Sequence, residues 1–290
     1  MTIDQDIRVI GLDLDSTLLR DDKTISDYTK RILEKAIERG IYVLPATGRA
    51  MNAVPECVRA VKGIRYAVCS NGASVVNLET EEELYSSKID LEYALEILDK
   101  LEAYGTMYDC YIDGCGYTEK RFYDFLDHYG VEPHIKKLIN STRMPIDNLK
   151  EMMIKLGKPV EKFNMFFLDL EERARIYEEL SKAPGIKVTS SLTNNLEING
   201  VNCNKGAALL GFAERMGFTR EQVMACGDGN NDYDMICMCG VGVAMMNAVE
   251  LLKEAADYIT YTNEEDGVAK AIERLCMRMQ EKPQDELIYD

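Results

Sequence analysis

Ile7-Arg8-Val9-Ile10-Gly11-Leu12-Asp13-Leu14-Asp15-Ser16-Thr17 is the stretch on which the fold turns. Ile7–Leu12 reads as a fully buried strand that stops in a short polar cluster. Three more β-like runs end the same way. Ile41–Ala46 runs into Thr47-Gly48-Arg49, Tyr66–Cys69 into Ser70-Asn71-Gly72, and Gln222–Cys226 into Gly227-Asp228-Gly229-Asn230-Asn231-Asp232. In an open parallel sheet, ligands gather outside the carboxyl ends of the strands. Four clusters far apart in sequence are therefore expected to meet at one rim.

The segments between them agree. Ser26 is a good N-cap for a helix over 27–39 with Ile32, Leu33, Ala36 and Ile37 on its apolar face, and Gly40 supplies the stop. A second helix is expected over about 51–61 and a third strand at Tyr66–Cys69. This βαβαβ alternation predicts parallel strands with right-handed crossovers.

After residue 82 the pattern changes to helix 91–104, two short strands around Asp113-Gly114, helix 120–129, then helix 149–156, strand 163–168, helix 171–182 and paired strands at 186–190 and 195–199. From Val201 the first pattern returns, with a helix over 205–216, strands at 222–226, 241–244 and 258–260, and a last helix over 266–279. The expected fold class is α/β: a Rossmann-like parallel-sheet core of residues 1–82 plus 200–290, interrupted by an α+β unit at 83–199. The polar tail after Glu281 is expected to fray.

Composition narrows the function. A net charge of −16 over 290 residues argues against a nucleic-acid binder, which would show a basic face. No apolar run approaches the roughly 20 residues that cross a bilayer, and Met1–Asp6 lacks the basic start and apolar core of a signal peptide. A cytoplasmic protein without membrane partners is expected. The nine cysteines are an odd number without zinc-site spacing, so reduced thiols are expected. His128 and His134 are the only histidines and lie far from the four clusters, which disfavours histidine nucleophiles and triads.

The clusters carry the chemistry. Asp13 can attack phosphorus as a carboxylate nucleophile, and Asp15 can protonate the leaving oxygen and later deprotonate water. Alone, Asp-x-Asp is a weak signal, more often a turn with acidic caps. Asp228 and Asp232 add oxygen ligands suited to Mg²⁺, which favours a couple of carboxylates, waters and substrate phosphate. Four carboxylates and a phosphate of charge about −2 face only Lys205, so a divalent cation is needed to offset their repulsion. Thr47 and Gly48 offer a hydroxyl and amides ahead of a helix, a natural seat for phosphate. Lys205 opens a helix, where a cation opposes the dipole, and pairing with Asp13 and phosphate gives it a reason to be there.

In combination these residues resemble the haloacid dehalogenase superfamily, and within it the Cof-type sugar-phosphate phosphatases. Asp13-Leu14-Asp15-Ser16-Thr17 matches the first motif, Thr47-Gly48-Arg49 the second, Lys205 the third and Gly227–Asp232 the fourth, and 83–199 sits where that family carries a large α+β cap. The resemblance implies a Mg²⁺-dependent phosphomonoesterase for small phosphorylated metabolites, acting through an aspartyl phosphate on Asp13 with Asp15 as acid/base. It implies Mg²⁺ on the Asp13 carboxylate, the Asp15 backbone carbonyl and Asp228, with Asp232 in support. Phosphate would meet the Leu14 amide, Thr47, Gly48, Lys205 and Asn231, while Arg49 and Ser70-Asn71-Gly72 line the approach to the cap. Ser16 departs from the glycine of many relatives, and a negative φ is expected there. Specificity is assigned to the cap, whose crossings near 82–85 and 199–204 are expected to hinge. A phosphomutase of the same superfamily and a receiver-type phospho-accepting module are the alternatives; the insertion and Asp15 argue against the second.

Overall fold

Val9–Leu12 forms β1, with every residue buried, as expected of a run without a polar face. The structure is a computed structural model that describes residues 6–129, 131 and 133–277. The tail after Glu281 and the end of the helix expected over 266–279 lie outside the described residues. Ser26 caps α1 (Asp27–Glu38) by accepting from the Thr29 amide, and Ile32, Leu33 and Ala36 turn inward. Gly40, at φ +83°, ends the helix. β2 (Tyr42–Pro45) then lies parallel to β1.

The next stretch departs from expectation. Pro55 has no amide hydrogen to give, and the helix expected over 51–61 is split into a 3₁₀ turn at Met51–Ala53 and one turn of helix, α2 (Glu56–Arg59). β3 (Tyr66–Cys69) meets the end of β2 through a parallel bridge between Ala46 and Val68. Its regular partner is β4 (Ser74–Asn77), antiparallel, with β5 (Glu83–Ser86) beyond. Ser70, Asn71 and Gly72 all take positive φ, a tight reversal that returns the chain beside β3 instead of sending it through a crossover. β5, at the start of the segment expected to open the insertion, thus joins the core side and sets Tyr85 against Gly211.

The inserted unit comprises α3 (Leu91–Tyr104), β6 (Met107–Ile112), β7 (Cys115–Glu119), α4 (Lys120–Tyr123), α5 (Pro133–Thr142), β8 (Arg143–Ile146), α6 (Leu149–Leu156), β9 (Lys162–Phe166), α7 (Leu170–Leu180), β10 (Ile186–Thr189) and β11 (Asn195–Gly200). The helix expected over 120–129 is α4 followed by a separate 3₁₀ turn at Leu126–Tyr129. α5 and β8 were not anticipated, although Pro133 is a favoured first helical residue and Pro145 suits an edge strand. The sheet order is β10-β11-β9-β6-β7-β8, antiparallel except for β7–β8. Its cross-strand rows alternate in character. Val188, Ile198, Phe163 and Cys110 stand in register on one face, with Phe163 and Cys110 fully buried in the unit's apolar core. Thr189, Glu197, Asn164, Asp109 and Thr118 form a row on the other.

The chain then returns to the core with α8 (Lys205–Arg215), β12 (Val223–Gly227), α9 (Tyr233–Met238), β13 (Val241–Ala244), α10 (Glu250–Ala255), β14 (Tyr258–Ile259) and α11 (Gly267–Ile272). The core sheet is parallel throughout, in the order β14-β13-β12-β1-β2. Two separate apolar clusters, one beneath this sheet and one within the inserted unit, make the architecture a Rossmann-like core with an inserted α+β domain. Among the described residues no helix is long and apolar enough to cross a membrane. All nine cysteines are free, and His128 is exposed.

Candidate active site

β1 and β12 are adjacent and parallel, with Leu12 opposite Cys226, so their polar ends open at the same rim. Asp13 stands at the end of β1. In the loop after β12, carboxylate oxygens of Asp228 and Asp232 lie with one from Asp13 within 4.8 Å of one another. Lys205, fully buried at the start of α8, places Nζ 2.6 Å from Asp13 Oδ1 and 2.6 Å from Asp232 Oδ1. The other oxygen of Asp232 accepts from the amides of Asp228 and Gly229, each at 3.0 Å. Asp232 therefore holds both the lysine and its own loop. Gly227 lets that loop fold back, because a Cβ there would lie 2.5 Å from the Asp232 Cβ.

The electrostatics of the trio are unbalanced. Burial, reinforced by the Asp232 carboxylate and in part offset by Lys205, pushes the Asp13 carboxyl well above the ordinary range. Burial and then Asp232 likewise raise Asp228 to about 6. Burial would lower the Lys205 pKa, but Asp13 and Asp232 together drive it upward. One cation shared by three carboxylates leaves negative charge without a partner. That donor set, all oxygen and partly buried, fits a hard divalent cation.

Asp15 lies outside the trio. Its carboxylate takes a two-pronged contact from Arg49, Nε at 3.0 Å and Nη2 at 2.8 Å, and a third from Lys23 at 2.9 Å. Burial works against its ionisation, yet Arg49 and then Lys23 override it and bring the pKa down to about 2. Ser16 has φ +61°, which corrects the negative φ expected for it. The amides of Thr17 and Leu19 turn back to the Leu14 carbonyl, and that of Leu18 to the Asp13 carbonyl. This reversal needs a left-handed residue, costing serine roughly 1–2 kcal/mol.

Thr47 and Gly48 follow β2 at the same rim. The Thr47 hydroxyl accepts from the Arg49 amide at 3.2 Å, and only the 3₁₀ turn and the single turn of α2 stand behind it, so the helix expected to cradle phosphate there is missing. Leu14 is buried. Asn231 donates to the Asn71 oxygen at 3.4 Å. Asn71 itself donates to Glu197 at 2.8 Å and to Asn199 at 3.1 Å, both on β11. Gly72 has a backbone role, with φ +98° and a Cβ position only 2.2 Å from the Asn204 carbonyl.

Several contacts at the rim were not anticipated from the sequence. Thr17 donates to Asp228 Oδ1 at 2.7 Å and joins the first cluster to the fourth. Lys162, buried on β9, donates to the Gly48 carbonyl at 2.6 Å and to Glu197 at 2.9 Å. Burial opposes ionisation of Glu197, and Lys162 reverses it, holding the carboxyl below its usual value. Glu161 accepts from Ser70 Oγ and the Gly114 amide, each at 2.8 Å. Asn199 donates to the carbonyls of Ser70 and Glu161, so the second crossing is tied down. A Glu-Lys pair opening an apolar run was the available clue.

A family model described as haloacid dehalogenase-like hydrolase matches residues 10–272. The chain belongs to that family. Relatives include a 5-amino-6-(5-phospho-D-ribitylamino)uracil phosphatase of Bacillus subtilis, 32% identical over 273 residues and covering 93% of this chain and 96% of the relative. An HMP-PP phosphatase of Klebsiella pneumoniae is 28% identical, covering 85% and 86%. A solved haloacid dehalogenase-like hydrolase from B. subtilis superposes with a TM-score of 0.83 at 27% identity, covering 93% of this chain and all of that one. This haloacid dehalogenase-like hydrolase is thus an enzyme, a phosphatase, and its inserted α+β unit is the family's cap.

Proposed function

We propose that this phosphatase is a Mg²⁺-dependent phosphomonoesterase of small phosphorylated metabolites, sugar or sugar-like phosphates above all, working through an aspartyl phosphate on Asp13. One observation carries the reading: Lys205 bridges Asp13 and Asp232 beside Asp228 at the rim of the parallel sheet. Asp13, Asp228 and the Asp15 backbone carbonyl would hold the metal, with Asp232 behind them, and the metal would supply charge stabilisation for the transferring phosphoryl group. Lys205, Thr47, Gly48, the Leu14 amide and Asn231 would hold the phosphate oxygens, and the name of the ribitylaminouracil phosphatase of B. subtilis supports a phosphate carried on a ribityl or similar polyol chain.

Asp13 Oδ attacks phosphorus as the ester oxygen departs with a proton from Asp15; Asp15 then takes a proton from the water that releases phosphate. Asp15 paired to Arg49 and Lys23 is ionised, the form suited to the second step. For the first it must leave that pair and gain a proton. The division of labour assigns 1–86 plus 200–290 to the core and 87–199 to the cap, because β5 pairs with β4 on the core side.

A screen of phosphorylated metabolites for phosphate release, with Mg²⁺ and with EDTA, tests the reading. Turnover is expected with Mg²⁺ and none with EDTA or in Asp13→Asn. In Asp15→Asn, a labelled phosphoenzyme should be trapped by acid quench from a substrate with a good leaving group. Release of phosphate by Asp13→Asn at the wild-type rate would end the mechanism, and an isomeric sugar phosphate as product would make the enzyme a mutase.

A further inference from the structure

A cavity of about 220 Å³ lies between the cap sheet and the loop after β12, space for roughly seven water molecules at ~30 Å³ each. Asn71, Asn231 and Asp234 line it from the core, and Lys187, Thr189 and Asn199 from the cap. Asn231 directly precedes Asp232, which holds Lys205, so the cavity opens beside the acidic trio. Lys187 and Asp234 are its charged residues, and they pair with each other across the gap between β10 and α9. The rest of the polar wall is amide and hydroxyl. Asn230, exposed on the loop after β12, and Tyr233 add an amide and a hydroxyl to that wall.

We propose that Asp234 is a specificity-determining residue: by engaging Lys187 it makes this cavity a subsite for an uncharged, hydroxyl-rich leaving group and rejects leaving groups that carry a second negative charge. The inference rests on the phosphomonoesterase reading above. An incoming carboxylate finds Lys187 already partnered and meets Asp234 as a like charge, which interfaces use as a repulsive selector. A polyol instead exchanges hydrogen bonds with the Asn230 amide and the Tyr233 hydroxyl on the cavity wall.

Sorbitol 6-phosphate and 6-phosphogluconate differ only at the end remote from the phosphate, hydroxymethyl against carboxylate, and so test the subsite. Wild type is expected to favour the first at least tenfold in kcat/KM. Asp234→Asn should shrink that ratio about tenfold by gaining on 6-phosphogluconate, with p-nitrophenyl phosphate turnover unchanged, and Lys187→Met should widen it. An unchanged ratio in Asp234→Asn, or a parallel change for both substrates, overturns the inference. Calorimetric binding of the two esters to Asp13→Asn and to Asp13→Asn/Asp234→Asn reads the same ratio without turnover. If no phosphomonoester is hydrolysed, the phosphatase reading fails, and the calorimetric ratio still decides the subsite.

Discussion

Replacing Asp228 with asparagine should abolish activity and yet stabilise the metal-free protein. The asparagine keeps an oxygen for the Thr17 hydroxyl, 2.7 Å away, while one of three clustered negative charges is removed. Burial and Asp232 raise the Asp228 carboxyl from 3.8 to about 6. A carboxyl whose pKa is raised on folding contributes stability below its unfolded pKa and loses it as pH rises through the folded one. The metal-free wild type therefore weakens from about pH 4 to about pH 6. Two pKa units at ~1.36 kcal/mol each set the scale at about 3 kcal/mol. At ~2–4 °C per kcal/mol for domains of this size, that is roughly 6–12 °C in Tm. Thermal unfolding followed by circular dichroism in EDTA should show Asp228→Asn above wild type by that margin at pH 7.5 and level with it at pH 4. Mg²⁺ at a hundredfold its Kd adds ~2.7 kcal/mol to a protein that binds it, which should close the gap at pH 7.5. A variant less stable than wild type in EDTA at pH 7.5, or a gap of equal size at both pH values, would refute the argument that the trio is held together against its own repulsion.

Other perturbations bear on neighbouring parts of the site. Ser16→Gly relieves the left-handed cost of ~1–2 kcal/mol and adds ~0.5–1 kcal/mol of chain entropy, so a net gain of up to ~1.5 kcal/mol is expected in urea unfolding, with activity retained. Gly72→Ala drives a Cβ into the Asn204 carbonyl; a loss of at least ~2 kcal/mol and a fall in kcat from a displaced Lys205 should appear together. Arg49→Ala removes the main partner that keeps Asp15 ionised. Since a depressed carboxyl pKa stabilises above the unfolded value and ceases to as pH falls, the variant's stability deficit should be present at pH 7 and disappear toward pH 2, read by denaturant titration across pH.

The clusters after β1, β2 and β12 were legible because a parallel sheet gathers the carboxyl ends of its strands at one rim, whatever lies between them in sequence, and the cluster after β3 joins them through the bridge from Ala46 to Val68. Apolar runs without polar alternation marked β1, β2, β12 and β13, and Ser26 and Gly40 bounded α1 through local capping chemistry. Asp13, Asp228, Asp232 and Lys205 could be singled out as a set because the proposed phosphoryl transfer would need their residue types at those places. Their contacts were another matter. That Asp232 holds Lys205 and the amides of its own loop, that Arg49 closes on the Asp15 carboxylate, and that Thr17 reaches Asp228 all depend on the packing of segments up to 211 residues apart. The turn at 70–72 sends β3 into an antiparallel partner through three successive positive φ values, a conformation that Asn and Gly accept locally but Ser70 adopts at a cost that the folded structure must offset. The polar face of the cap sheet was hidden for a related reason. Lys162, Glu197 and Asp109 look like solvated charges in the sequence, and only partners brought together by folding allow them to be buried.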